Sequence, residues 1–502
     1  MTLLASLVLT LVSGTTLIQG GTIVDGTGAP RIRADVRIEG RRIVAVGRLS
    51  PLPGESVVNA QGLVVAPGFI DSHSHADGGL LEGLPADSQL RQGITTAVAG
   101  QDGYWRGPVA QTMEQLSRQP LSLNVALFSG HGGIRRHVLG ENFKREATSA
   151  ELLALASLVE ADMKAGALGL STGLEYDPGF YSPTEEVVEL AKVAGRAGGM
   201  YISHVRDEGH HAMKAFEEVV RIAREARLPG QISHIKLGVA PVWGKAREAL
   251  GVIERARDQG LDITADVYPY TYWQSTITVL TLSKDWDNPQ VWQDALADVG
   301  GPQNVLLSSY SPHPPWVGKT IAEIALSTGR TPTDIIMEIV RETRDGKGKE
   351  SIVCTAMDER DVQEFVRHPW VMFCSDGAIG GSHPRGAGAF PRFFAEYVRR
   401  QPILSLEEAV FKATGLPAWR FGFTDRGRIA PGYRADIVLF DANRIQDRAT
   451  TKNPRELSTG VVAVWVNGVP SLINGQATGK KGGEILRRDV RIGTLPLVRS
   501  RT

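Results

Sequence analysis

Two histidines, His73 and His75, stand two residues apart in the stretch VAPGFIDSHSHAD that begins at Val65. In an extended strand, side chains two apart point to the same face. Both imidazoles then project together from a strand end, as two ligands of one metal ion must. Three more residues of suitable chemistry close short β-rich runs downstream: His204 ends GMYISHV, His234 ends GQISH, and Asp376 ends WVMFCSD. A lone histidine is more often a satisfied core residue than a ligand. Four that end apolar runs in order, joined by an aspartate, point to a metal-assisted centre. Neutral imidazole and carboxylate suit Zn2+, and two ions sharing a bridging ligand fit the same donors.

The elements that must carry these residues read in two patterns. From His73 to about Gly422, short β runs (GITTAVAG, LNVALFSG, GALGLSTGL, GMYISHV, GQISHIK, LDITADVYPY, NVLLSSY, WVMFCSDG) alternate with amphipathic helices, such as residues 212–226 and 245–259. That alternation implies a parallel sheet with helices outside it. Both chain ends are instead strand-rich with Gly turns, over residues 15–66 and 423–490. The economical reading joins them in one small β-sandwich, with 67–422 inserted between. Residues 279–349, with Trp286, Trp292 and Trp316, read as an insertion or lid over the site. Those tryptophans, with Trp105, Tyr272 and Trp273, are either an apolar substrate surface or loop anchors in the core.

The composition narrows the function. Fifty-five basic residues balance fifty-five acidic ones, which argues against a nucleic-acid binder. Cys354 and Cys374 are the only cysteines, so there is no disulfide framework and no cysteine-rich zinc module. The apolar run MTLLASLVLTLV lacks a basic leading region and is too short to span a bilayer. It is either a signal peptide ending near Gly14, which favours a periplasmic or secreted protein, or a leader on a cytoplasmic enzyme. No other run suggests a membrane span.

GFIDSHSHAD resembles the first-strand signature of the amidohydrolase superfamily. GALGLSTGLEYDPG, YISHVRDEG, QISHIK, DVYPY and SDG…HPRGAGAFPR narrow the resemblance to the N-acyl-D-amino-acid deacylases (D-aminoacylases), over about residues 16–488. The resemblance implies an α/β fold, a (β/α)8 TIM-type barrel with a small β-sandwich. It also implies that His73 and His75 serve one metal position, His204 and His234 the tighter one, and Asp376 the catalytic acid and base. The family commonly has Asn-Cys-Gly after GITTAVAG, where this chain has Gln101-Asp102-Gly103. Asp102 replaces a thiolate with a harder anionic oxygen, so it can bridge two ions and admit Mn2+ or Co2+ beside Zn2+. The plain alternative is a turn aspartate before glycine.

The implied chemistry is amide hydrolysis with a water whose pKa falls towards about 7. Asp376 relays the proton to the leaving amine, and Tyr176 supports the oxyanion. Lys236 follows His234 on the same face, Tyr268 ends another strand, and Arg385 lies in the Gly-rich loop after Asp376. By the resemblance, these three hold the substrate's α-carboxylate. Arg206, Asp207 and Glu208 read as structural or as supports beneath the site. His131 and His383 are placed to line the pocket, His210 and His211 to be exposed, and His137, His313 and His368 to be ordinary. The expected substrate is a small N-acyl-D-amino acid. The alternatives are a dipeptide ending in a D-residue, a cyclic amide of the dihydroorotase or hydantoinase type, and a non-catalytic scaffold.

Overall fold

Eight short parallel strands carry the residues singled out above. The computed structural model describes residues 14–488, so the apolar leader at residues 1–13 and the last residues of the chain lie outside it. In chain order the strands are Phe69–Asp71, Ile94–Ala99, Asn124–Leu127 with its continuation Ser129–Gly130, Gly169–Gly173, Met200–His204, Gly230–Ile232, Ile263–Val267 and Val371–Phe373. Neighbours pair in parallel around the set. A parallel bridge between Ser74 and Gly377 joins the last strand to the first. The architecture is an α/β (β/α)8 barrel.

The strands read as continuous apolar runs because both faces are covered. Every residue of ITTAVA and of MYISH is buried, as a parallel sheet wrapped by helices requires. The helix Ala212–Ala226 buries Ala215, Phe216, Val219, Val220, Ile222, Ala223 and Ala226 on one stripe. Phe216 is fully buried, and its truncation to Ala would cost about 3–5 kcal/mol. Ser149–Lys164 begins at a capping box in which Thr148 and Glu151 satisfy each other's backbone N–H.

The two chain ends share one nine-stranded sheet. Val64–Pro67 pairs antiparallel with Ile437–Phe440, locking the N-terminal half of the sheet to the C-terminal half. This sheet folds over its own core of Ile18, Val36, Ile43, Val65, Ile437 and Trp465, and is the β-sandwich of the sequence reading. Val64–Pro67 runs through Gly68 directly into the first barrel strand, and the Gly68 N–H donates to the Asp436 carbonyl at 2.8 Å. The stretch bearing His73 and His75 is therefore held from both domains.

An insertion follows the seventh strand. Tyr272–Ser275, Glu350–Thr355 and Val305–Tyr310 form an antiparallel sheet, accompanied by helices Pro289–Asp298, Ile321–Thr328 and Pro332–Thr343. It is wider than residues 279–349, because its first and last strands pair with each other across the intervening chain. Trp292 is fully buried and donates to the Trp286 carbonyl, and Trp316 stacks on Tyr310. These tryptophans anchor the insertion. Among the described residues, no helix is long and apolar enough to cross a membrane.

Candidate active site

All the strand-end residues meet at the carboxyl end of the barrel, where this fold gathers its chemistry. His73 and His75 follow the first strand, Asp102 the second, Tyr176 the fourth, and Tyr268 the seventh. His204 is the last residue of the fifth strand, while His234 and Asp376 follow the sixth and eighth. Two backbone bonds close the ring: the Asp376 N–H donates to the His73 carbonyl at 2.9 Å, and the His75 N–H to the Gly377 carbonyl at 3.0 Å. Asp71 fixes the approach by accepting from the Ser375 N–H at 2.7 Å and its hydroxyl at 2.5 Å.

The donors fall into groups within 4.8 Å of one another: His73, His75, Asp102 and Asp376 in one, and Asp102, His204 and His234 in another. Asp102 belongs to both. Its Oδ2 lies 3.3 Å from His73 Nε2 and 3.2 Å from His75 Nε2, and its Oδ1 lies 3.4 Å from His234 Nε2. His204 Nδ1 stands 3.1 Å from His234 Nε2. Buried His73 Nδ1 and Asp102 Oδ1 have no hydrogen-bond partner. Imidazole nitrogens and carboxylate oxygens crowded this closely fit a divalent cation, and the mixed N/O set suits Zn2+, Mn2+ or Co2+.

Three of these residues have left-handed backbone: Asp102 at φ 54°, His234 at 33° and Asp376 at 50°. Such conformations cost about 1–3 kcal/mol each and persist where the surroundings over-determine them. Asp266 supplies part of that restraint at His234, accepting its N–H at 2.6 Å. Around Asp102 the restraint is close backbone packing. A Cβ on Gly173 would lie 2.4 Å from the Asp102 carbonyl oxygen, and one on Gly130 would lie 2.0 Å from that of Tyr104. The glycines of FSGHGG and STGL let the Asp102 loop seat against the third and fourth strands.

The electrostatics keep the carboxylates charged. Burial opposes ionisation of Asp376, but the Arg385 guanidinium and His234 hold it well below the usual carboxylate range. Burial likewise opposes the charge on Asp102, which His73 and His234 hold well below that range. His75 is depressed by burial, yet Asp102 and Asp376 outweigh this and lift it to about 10. Lys236 Nζ donates to Glu208 at 2.5 Å, and Tyr268 lies between Lys236 and Arg385, whose cationic groups sit 5.7 Å and 5.0 Å from its ring centroid. Tyr176 OH is 3.2 Å from His204 Nδ1.

Two carboxylates stand behind the histidines: Glu175, which sequence reasoning missed, and Glu208, which it read as structural or as a support beneath the site. Glu175 Oε2 lies 2.8 Å from His204 Nε2, and Glu208 Oε1 lies 3.2 Å from His234 Nδ1. Glu175 faces the outer ring nitrogen of His204 and orients that imidazole, whereas His234 Nδ1 meets both Glu208 and Lys236 Nζ, the latter at 2.6 Å. Glu175 was signalled only by its position beside Tyr176, and Glu208 by lying one turn's spacing after His204. Arg206 pairs with Glu218, and Asp207 accepts the Gly209 and His211 N–H groups, so these two are structural. His131 does not line the cavity: it opens a helix and is buried against Glu186. His383 packs behind Tyr268 and Tyr272. His210 is half exposed, yet it pairs with Asp298 of the insertion at the cavity rim.

The profile of the amidohydrolase family matches residues 56–287 and 312–471. A D-aminoacylase of Alcaligenes xylosoxydans xylosoxydans is 35% identical over 94% of this chain and 97% of its own length. An N-acyl-D-glutamate deacylase of the same organism is also 35% identical, over 96% of this chain and 98% of its own. The solved structure of N-acyl-D-glutamate deacylase from Bordetella bronchiseptica, complexed with zinc and a phosphonate mimic of the reaction tetrahedral intermediate, is 33% identical. It superposes with a TM-score of 0.85 over 94% of this chain and 99% of that one. Sharing its fold with that structure and a third of its residues with these relatives along nearly its whole length, the chain belongs to the amidohydrolase family.

Proposed function

We propose that this protein is a metal-dependent amide hydrolase that cleaves N-acyl-D-amino acids to a carboxylate and a free D-amino acid. One observation carries the reading: Asp376, a member of the candidate donor set, pairs with Arg385, which together with Lys236 and Tyr268 suits an α-carboxylate. His73, His75, Asp102 and Asp376 would hold one ion, and Asp102, His204 and His234 another. A divalent cation held there supplies Lewis acidity, easing loss of a proton from water and polarising the amide carbonyl.

The chain's own residues do the rest. Asp376 accepts the proton of the attacking water at its carboxylate and returns it to the amide nitrogen as the C–N bond breaks. One water is consumed, and one carboxylate and one amine leave. Tyr176, beside His204, is placed to donate to the developing oxyanion. Arg385 and Lys236 fix the substrate through its carboxylate, which aligns the acyl carbon with the donor set. The preference for the D-enantiomer rests on the two relatives named for D-substrates.

The test is metal content by elemental analysis, with release of amine from paired N-acetyl-D- and N-acetyl-L-amino acids by wild type and Asp376→Asn. Bound metal, D-selective release and loss of release in the variant are expected. Metal with no release from either enantiomer would sink the deacylase reading in favour of D-dipeptides or cyclic amides. A protein that takes up no metal would sink the hydrolase reading altogether.

A further inference from the structure

The loop GGSHPRG after the eighth strand delivers Arg385, the arginine of the carboxylate clamp. Arg385 is the first residue of the helix Arg385–Arg392, whose capping position is Pro384, a residue with no side-chain acceptor. The first N–H groups of a helix have no partner within it. Those of Gly386 and Ala387 turn back to the carbonyls of His383 and Pro384, at 3.2 and 3.0 Å. The N–H of Arg385 itself donates to the His383 side chain, whose Nδ1 lies at 3.0 Å.

That bond fixes the state of the ring. Nδ1 accepts only when it carries no proton, so the proton of the neutral imidazole stands on Nε2. Nε2 in turn donates to the Tyr272 carbonyl at 3.0 Å. Both bonds require the same tautomer. The ring is buried, with the Tyr268, Tyr270 and Tyr272 ring centroids 6.3, 5.6 and 4.9 Å away. Burial and the Arg385 guanidinium hold its pKa well below the ordinary imidazole range, against weaker opposite pulls from the Tyr272 carbonyl and Asp376.

Tyr272 opens the first strand of the insertion, and Gln274 of the same strand donates to Ser382, beside His383. The start of the clamp helix is thus tied through one imidazole to the insertion. The other side leaves little slack, since a Cβ on Gly386 would lie 2.7 Å from the Ala378 carbonyl oxygen. Any shift of the Arg385 backbone displaces a guanidinium that meets Asp376 at 2.7 Å and lies 5.0 Å from the Tyr268 ring centroid.

We infer that His383 is a positioning residue for the reaction: as the Nε2-protonated imidazole it anchors the Arg385 backbone to the first strand of the insertion, and so sets where the guanidinium meets the substrate's carboxylate. The inference rests on the deacylase reading above, in which Arg385 holds that carboxylate, and extends it to a side chain behind the cavity wall.

The experiment measures kcat, KM and metal content of the metal-loaded enzyme with the N-acetyl-D-amino acid that wild type turns over fastest. Asn places an amide oxygen where Nδ1 stands and keeps the bond from the Arg385 N–H. Gln places an amide nitrogen where Nε2 stands and keeps only the bond to Tyr272, while Leu keeps neither. His383→Gln and His383→Leu should raise KM about tenfold, the usual worth of a lost buried hydrogen bond, with kcat within about threefold of wild type and metal content unchanged. His383→Asn should bring KM back to within about threefold of wild type. In an Arg385→Lys background, His383→Gln should change KM by less than about twofold, because both act through one group. On protein labelled with 15N-histidine, the resonances that vanish in His383→Asn should be those of a neutral ring protonated at Nε2. Should His383→Leu fail to fold, the Asn and Gln variants carry the comparison. Equal KM values in those two variants would overturn the inference, as would a His383→Gln effect undiminished by Arg385→Lys. A cationic ring or the opposite tautomer would overturn it too, and so would loss of metal in step with kcat, which marks a packing role. All these outcomes leave the deacylase reading intact. Absence of hydrolysis by wild type would instead remove that reading, and this inference with it.

Discussion

Arg385 Nη1 lies 2.7 Å from Asp376 Oδ2, while Oδ1 of the same carboxylate stands 3.1 Å from His75 Nε2. The guanidinium is almost wholly buried, and its Nε has no partner. Arg385 therefore touches the carboxylate proposed as acid and base, and its Nε is left as an unpartnered donor. Asp376→Asn should lower kcat by about 10²–10⁴-fold, the usual worth of a positioned acid and base. Arg385→Lys keeps the charge but loses the fork, and should raise KM by about 10–100-fold, as loss of a charged hydrogen bond does. Steady-state kinetics on the D-substrate separates the two. An unchanged KM in Arg385→Lys would restrict Arg385 to holding Asp376.

Asp102 is the donor common to both metal groups. Asp102→Ala should empty both positions to a similar degree, read as metal per chain after dialysis. Asp102→Cys offers a softer ligand, so it should tighten Zn2+ and weaken Mn2+. Cysteine is also less at ease than aspartate at φ 54°, with a cost of about 1–2 kcal/mol in stability. Equal affinities for the two ions in both proteins would show that Asp102 is not a ligand.

Much of this site was legible because barrel chemistry sits at strand ends. His73, His75, His204, His234 and Asp376 each close an apolar run, and spacing alone assembles them. Asp102 was legible only through the family motif, since an aspartate before glycine reads equally well as a turn. Glu175 was not legible as a site residue, and Glu208 was legible only as a structural group or a support beneath the site. They lie in loops after the fourth and fifth strands, and only the fold brings them against His204 and His234. His131, expected to line the pocket because it follows a strand, instead opens a helix and is buried against Glu186. The insertion's edges were missed because Tyr272–Ser275 finds its partner only at Glu350–Thr355.

The seat of the Asp102 loop can be disturbed from behind. In Gly173→Ala the added Cβ would meet the Asp102 carbonyl oxygen at 2.4 Å, closer than real contacts allow. The loop must move outward, carrying Asp102, the donor common to both candidate groups, with it. Metal affinity should fall at least about tenfold, in line with displacement of groups that orient ligands. The circular dichroism spectrum should stay that of a folded barrel. Unaltered affinity in Gly173→Ala would mean that the loop yields without moving Asp102.

Glu175 faces His204 Nε2 at 2.8 Å and leaves Nδ1 facing His234 within the candidate donor group. Glu175→Ala should weaken metal binding by about 10–100-fold, and Glu175→Gln, which keeps an acceptor, by less. Competition with a chromophoric chelator measures both. If the two variants weaken binding equally, the carboxylate acts through its charge alone. If neither does, His204 is oriented by other contacts.

Lys412 tests the electrostatics far from the cavity. It lies on the helix Leu406–Ala413 and is almost fully buried beneath the eighth strand, donating to the carbonyls of His368 and Val371. Burial pulls its ammonium down to about 7, against a weaker opposite pull from Glu408. In the unfolded chain the group titrates near 10.4, as any lysine does. Between those two values the unfolded state binds one proton more than the folded state, so stability rises with pH across the window. Below it both states are charged, and the full cost of burying the charge is present. The rise is at most about 1.4 kcal/mol per pH unit. Lys412→Met removes it. Denaturant unfolding at pH 7.5 and 8.5 should therefore show wild type gaining about 1 kcal/mol on the variant. Parallel pH curves for the two proteins would mean that Lys412 keeps its proton in the folded state.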